Sequence, residues 1–205
     1  MKVLIINGSP RRNGNTSIAL AEIAKTLESK GIETETVWIG NNPVRGCVAC
    51  HTCKKKPGKC VFDDDVCNGI SAKMADCDGL VVGSPVYYGQ PNGILLSVLQ
   101  RAFYSNGEVF KGKMAAAVAV CRRGGSTAAF ETLNMPFMMM NMPVVTSQYW
   151  NVVFGREPGQ AALDVEGLQT MRALGNNMAF LLQSTGGKTC PGAEGEEWIP
   201  MHFIR

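Results

Sequence analysis

Five short apolar runs, each followed by a polar loop and most of them by a stretch of helical spacing, constrain this chain more than any other feature. The first, Lys2 to Ile6, reads KVLII and stops at Asn7-Gly-Ser-Pro. A short run rich in Val and Ile, without polar alternation, predicts a strand buried on both faces. Thr34 to Ile39, Gly79 to Gly83, Lys113 to Val120 and Val144 to Asn151 are the other predicted strands. Helices are predicted over Thr16–Lys30, Asp64–Met74, Asn92–Tyr104, Ser126–Asn141 and Leu163–Leu182. In the first of these, Ile18, Ala21, Ala24 and Leu27 share one face, and Gly31 is a natural stop. The alternation predicts an α/β domain over residues 1–184: three layers, a five-stranded parallel sheet with helices on both faces. Residues 185–205 are expected to be a C-terminal extension, packed on the domain or swapped.

Composition narrows the function classes. Charged residues are 18% of the chain, against roughly 25% in typical soluble domains. With 45% apolar residues, that excludes an extended disordered chain. The net charge of +3 is too small to argue for a nucleic-acid partner, which needs a clustered basic face. No apolar run approaches the ~20 residues of a membrane span. The N-terminal run is shorter than the ~7–15 apolar residues of a signal peptide, so a cytoplasmic protein away from membranes is expected.

In an open parallel sheet, ligands bind beyond the carboxyl ends of the strands. The loop after the first strand, Gly8 to Ser17, is uniformly polar and opens a helix. The unpaired N–H groups and partial positive charge of a helix N-terminus favour an anion. Ser9, Asn15, Thr16 and Ser17 add short polar side chains, and Arg11 or Arg12 adds a full charge. The spacing is neither that of a Walker loop nor Gly-x-Gly-x-x-Gly, and a simply capped helix with a polar entry is the alternative. The loop after the third strand sets Tyr87 and Tyr88 between Pro85-Val86 and Gly89, where rings can flank a planar ligand or merely pack. The loop after the fourth is Cys121-Arg122-Arg123-Gly124-Gly125.

Together, Asn7-Gly-Ser-Pro-Arg11, Gly14-Asn-Thr-Ser17, Gly83-Ser-Pro-Val-Tyr-Tyr-Gly89 and Arg122-Arg-Gly-Gly125 resemble the NADPH-dependent FMN reductase branch of the flavodoxin-like superfamily. The resemblance covers roughly residues 1–182 and implies the flavodoxin-like strand order 2-1-3-4-5. It also implies that Ser9, Arg11, Asn15, Thr16 and Ser17 hold the FMN phosphate. Pro85, Val86, Tyr87, Tyr88 and Gly89 would line the isoalloxazine ring. Cys121, Arg122, Arg123, Gly124 and Gly125 would close the site. NAD(P)H is the electron donor so implied, and a homodimer or homotetramer the assembly.

Eight cysteines are about 4% of the chain, below the ~8–10% of disulfide scaffolds. Cys47, Cys50, Cys53 and Cys60 fall in the long irregular loop 40–65, spaced Cys-x2-Cys-x2-Cys-x6-Cys. Such clustering in a cytoplasmic chain points to a metal or to redox chemistry. A [4Fe–4S] cluster held by four thiolates suits the spacing. A zinc site and free thiols are the alternatives. The set looks like the compact cysteine motif of the iron–sulfur flavoproteins in the same superfamily. It leaves the sheet on the side where the phosphate loop opens, so electron exchange with a bound flavin is expected. His51 and the lysines at 54, 55, 56 and 59 flank it and read as solvated. The methionine-rich run Met135–Met142 fits a subunit interface, a wall near the flavin or a core helix.

These features predict an FMN-dependent oxidoreductase that passes electrons from NAD(P)H or another donor to a quinone, a flavin or a protein acceptor. No Ser/His/Asp set is present and the chain has two histidines, so the flavin would carry the chemistry with no catalytic side chain. The alternative is a non-enzymatic iron–sulfur flavoprotein shuttling electrons between partners such as ferredoxin. A thiol-based oxidant sensor is a third reading.

Overall fold

A computed structural model describes residues 1–192, 196–197, 199 and 201. Its elements, in chain order, are β1 (Lys2–Asn7), α1 (Asn15–Ser29), β2 (Glu33–Trp38), α2 (Thr52–Lys55), α3 (Cys67–Ala75), β3 (Gly79–Tyr87), β4 (Gln90–Pro91), α4 (Gly93–Asn106), β5 (Met114–Cys121), α5 (Ser126–Met139), β6 (Val152–Phe154) and α6 (Val165–Thr185). The main sheet runs β2-β1-β3-β5-β6 with every pair parallel. Without the short antiparallel β4, this is the expected 2-1-3-4-5 order.

Alternate residues of each strand feed opposite faces, because strand side chains point up and down with period two. Val3, Ile5, Val81, Ala116 and Val118 pack with Ile23 and Leu27 of α1 and Met171, Leu174 and Met178 of α6. Leu4, Ile6, Leu80, Val82, Ala115 and Ala117 pack with α3, α4 and α5 through Ile70, Met74, Leu95, Val98, Leu133 and Phe137. Both faces are thus covered, as the apolar strands require.

Two expectations are corrected. The fifth strand is not Val144–Asn151 but β6 at Val152–Phe154. Val144 makes only a bridge to Ala115 before the chain leaves the sheet edge. There Ser147 Oγ donates to the Tyr149 carbonyl at 2.7 Å, a local bond that competes with the strand ladder. The Asn151 side chain substitutes for backbone by donating to the Ala117 carbonyl at 3.0 Å. The third strand also continues past Gly83 to Tyr87, so residues 84–87 are strand rather than loop. It turns at Tyr88 and Gly89, with φ of 52° and 78°, and pairs with β4. Two positive φ values in a two-residue turn match the twist of a hairpin.

Of the expected extension 185–205, the described part runs to Gly192, with four residues beyond; the rest lies outside the described residues. The Cys190 N–H donates to the Gly112 carbonyl at 2.9 Å, tying the tail to the turn before β5. No helix among the described residues is long and apolar enough to cross a membrane.

The fold is tightly packed where β1 ends. Gly8 N–H donates to the Gly83 carbonyl at 2.8 Å, and a Cβ on Gly8 would lie 2.5 Å from a Leu95 methyl and 2.8 Å from that carbonyl. Backbone cannot yield as a flexible side chain can. Gly8→Ala is expected to destabilise by about 1–3 kcal/mol, the usual cost of overpacking, measured by urea unfolding.

Candidate functional site

The loops at the carboxyl edge converge on a cleft of about 200 Å³. Of the residues expected there, Ser9, Arg11, Asn15, Thr16, Pro85, Val86, Tyr87, Cys121 and Arg122 line it. Ser17, Tyr88, Gly89, Arg123, Gly124 and Gly125 do not line it. Tyr88 is fully exposed at the hairpin tip. Gly125, at φ 85°, backs the hairpin: a Cβ there would lie 2.8 Å from the Gly89 Cα. Gly155 and Arg156 join the cleft from the loop after β6. The misplaced fifth strand hid them, although a basic Gly-Arg pair after an apolar Val-Val-Phe was the signal available.

Helix α1 enters the cleft without a side-chain cap and without an acidic residue in its first turn. Its N-terminal field is therefore available to an anion. The loop before it is pre-shaped. Ser9 Oγ accepts from the Arg11 N–H at 3.1 Å, and Trp38 Nε1 donates to the Ser9 carbonyl at 2.7 Å. The Arg12 guanidinium lies over the Trp38 ring at 5.7 Å, so of the two arginines it is Arg11 that lines the cleft. The Asn15 side chain is committed to structure. It donates to the Glu157 carbonyl at 3.0 Å and accepts from the Ala161 N–H at 3.1 Å, clamping the loop that carries Arg156. Burial pushes the Cys121 thiol up, against a lowering bond to Ser126, which keeps it neutral beside the cleft.

Asn92, read from sequence only as a helix start, ties these loops together. Its Nδ2 donates to the Gly8 carbonyl at 2.8 Å, its Oδ1 accepts from the Ile94 N–H as the cap of α4, and its N–H donates to Ser84 Oγ.

The four loop cysteines line a separate, small cavity with His51, Phe62, Arg101, Tyr104 and Ser105. Cys47 and Cys50 are exposed, Cys53 and Cys60 half-buried. Among the described residues no three His, Cys, Asp or Glu side chains converge at metal-holding distance. The chemistry of the donor set still fits a thiophilic group, since four sulfurs border one cavity. A hydrogen bond from the Thr52 side chain holds the Cys50 thiol below its ordinary range. His51 Nδ1 lies 3.1 Å from the Tyr104 hydroxyl, and Lys54 sits over the Tyr104 ring at 5.6 Å.

The loop leaves the sheet beside the flavin-type cleft, as expected, but carries its cysteines down α4. Arg101 lies nine residues beyond Asn92, roughly 13 Å along the helix axis. Helix α5 also runs away from the cleft. Its Met138 and Met139 line a groove with Cys53 at the far end, and no methionine of that run lines the cleft.

Arg101 is the residue that sequence reading missed here. It is 1% exposed and pairs with Asp65, itself 7% exposed. Burial opposes its charge, but the bonds to Asp65 and Cys60 outweigh that and raise its pKa. Its Nη2 donates to the Phe62 carbonyl at 2.9 Å and its Nη1 to the Arg45 carbonyl at 3.3 Å. Asn68 adds a second clasp, accepting from the Cys60 N–H at 2.8 Å and donating to the Cys60 carbonyl at 3.0 Å.

The parallel sheet, with an uncapped helix N-terminus and the Tyr87 hairpin at its reversal point, has the architecture of flavin-dependent redox proteins. The family model for NADPH-dependent FMN reductase matches residues 1–157, and the chain belongs to that family. An iron–sulfur flavoprotein of Methanocaldococcus jannaschii is 35% identical over 89% of this chain and 98% of its own length. Among solved structures, RosB with a bound 8-demethyl-8-formylriboflavin-5'-phosphate superposes with a TM-score of 0.69 at 15% identity, covering 100% of this chain and 92% of that one. A flavodoxin from the domain Archaea gives 0.60 at 17% identity, over 89% of this chain and 99% of that one.

Removing the Asp65 charge would leave Arg101 buried and unpaired, and breaking such a pair from one side costs about 3–5 kcal/mol. Asp65→Asn is expected to lower stability by that order in urea unfolding. Asp64→Asn, which breaks the exposed pair with Arg45, is expected to cost no more than about 1 kcal/mol.

Proposed function

We propose that the protein is an FMN-dependent oxidoreductase, taking electrons from NAD(P)H or another donor and passing them to a quinone, a flavin or a protein acceptor. The observation that carries this reading is the uncapped N-terminus of α1 opening into a cleft lined by Arg11, Arg122 and Arg156, with the Tyr87 hairpin on its other wall. A phosphate monoester suits that end, and a planar ring suits the hairpin end. FMN, when bound, supplies the hydride and single-electron chemistry.

The chain's own residues would bind and orient. Arg11 and the first turn of α1 would neutralise the phosphate. Ser9, with Gly14 beside it, would let backbone approach closely. Pro85, Val86 and Tyr87 would exclude water from one side of the ring, and Cys121, held neutral by burial, would add no charge beside it. Cys47, Cys50, Cys53 and Cys60 would hold a [4Fe–4S] cluster. Cytoplasmic residence and a homodimer or homotetramer complete the proposal.

The exposed cysteine pocket favours a second reading, a non-enzymatic electron carrier working between protein partners such as ferredoxin. Steady-state NADPH or NADH oxidation by FMN-loaded protein with a quinone separates the two. Turnover is expected; none with either nucleotide, alongside rapid reduction by ferredoxin, would establish the carrier. Arg11→Ala is expected to weaken FMN binding about tenfold or more in a fluorescence titration, as loss of a charged hydrogen bond of ~1.5–3 kcal/mol implies. Unchanged affinity would place the phosphate elsewhere. Anaerobically purified protein is expected to be brown and to contain iron. A yellow, iron-free protein would leave the four cysteines as free thiols.

A further inference from the structure

Helix α4 is apolar over most of its buried face, and within it stands one fully buried arginine. A buried ion pair is a poor source of stability, because apolar residues of similar volume usually serve as well. The placement of Arg101 explains what such a pair does here. One guanidinium reaches Arg45, before the first loop cysteine, and Phe62, after the last. Its Nη1 also meets Asp65, and its Nε donates to Cys60 Sγ at 3.3 Å. The stretch holding all four cysteines is thereby tied at both ends to one rigid side chain. One turn further along α4, on the same face, Ser105 lines the same cavity. Its hydroxyl is buried and has no hydrogen-bond partner. A buried hydroxyl without a partner is costly, and a ligand acceptor would satisfy it.

We propose that Arg101 and Ser105 are the positioning and potential-setting residues of the four-cysteine site: Arg101 fixes Cys60 by Nε–H···S donation and, with the Ser105 hydroxyl, stabilises the reduced form of the bound cluster. The inference rests on the cluster reading above. Reduction adds one electron, and one negative charge, to a group that already carries four thiolates. A fixed cation and hydrogen bonds to sulfur favour the more negative form, and such bonds are among the terms that set cluster potentials. Cys47 and Cys50 are exposed to water, and the side-chain donor that Cys50 has, Thr52, is neutral.

The test uses anaerobically reconstituted full-length protein. Iron per chain and the cluster's midpoint potential, from a dithionite titration followed by EPR, are measured for wild type, Arg101→Gln, Arg101→Lys and Ser105→Ala. Arg101→Gln is expected to lower iron content and shift the potential negative. Arg101→Lys, which keeps the cation, is expected to recover part of that shift. Ser105→Ala is expected to keep full iron and still shift negative. A purely structural Arg101 would change iron content and stability but leave the potential of iron-loaded molecules where it was. Iron-loaded Arg101→Gln and Ser105→Ala at the wild-type potential would overturn the inference alone. Wild-type protein that retains no iron would overturn the cluster reading and this inference with it. Should Arg101→Gln fail to fold, Arg101→Lys and Ser105→Ala decide the matter, since an unchanged potential in both overturns it.

Discussion

The contact between Gly8 and Gly83 is the constraint on which the rest of the molecule depends. Strand β1 has β2 on one side and β3 on the other, so the connections from β1 and β3 leave in opposite directions and open a crevice between them. At that point two backbones must pass within hydrogen-bond distance under Leu95, which leaves no room for a side chain on Gly8. The Asn92 amide then satisfies the buried Gly8 carbonyl and caps α4 with the same side chain. The phosphate-type loop, the end of β3 and the start of α4 are one hydrogen-bonded unit, and the cleft inherits its shape from it.

Helix α4 carries that order to the second site. Its first residues hold the cleft loops, and its last two turns present Arg101, Tyr104 and Ser105 to the cysteines. A helix packed through Leu95, Val98, Leu99 and Ala102 is rigid, so the two sites keep a fixed separation of roughly two to three turns. The cysteine loop has little regular structure of its own beyond the four-residue α2. Both ends of it are held by Arg101, Cys60 by the Asn68 clasp, and His51 by the Tyr104 hydroxyl.

What the sequence made legible follows from which signals are local. Continuous apolar strands, the polar loop opening α1 and the cysteine spacing are each written in a few adjacent residues; four of the five strands lie where they were expected, and the four cysteines border one cavity. The edge strand was misplaced because Val144-Val145 is as apolar as Val152-Val153, while the Asn151 side-chain bond that helps decide between them depends on a tertiary partner, Ala117. Arg156 was lost with that strand. Arg101 could not be found, since one arginine in an apolar helix reads as a surface position until the Asp65 partner is known to be buried with it. Asn15 lines the cleft, as its place in the polar loop led one to expect, and both ends of its amide also hold the neighbouring loop, which its polarity alone does not reveal.

The two sites handle charge in opposite ways, and that distinguishes what each can accept. Among the described residues, Arg11 and Arg122 have no carboxylate partner, and Arg156 pairs only with its exposed neighbour Glu157. The cleft therefore keeps an unbalanced positive potential, near water, where a phosphate dianion can replace hydration by charged donors at little desolvation cost. At the cysteine pocket the buried Arg101 is shared between Asp65 and Cys60 Sγ, so what its guanidinium offers is directed at sulfur rather than at a bare anion. Donors aimed at sulfur are what that pocket offers beyond charge, and they reward a group whose negative charge resides on sulfur. An inorganic anion would be drawn to the first site, and a thiolate-ligated group would be favoured by the second.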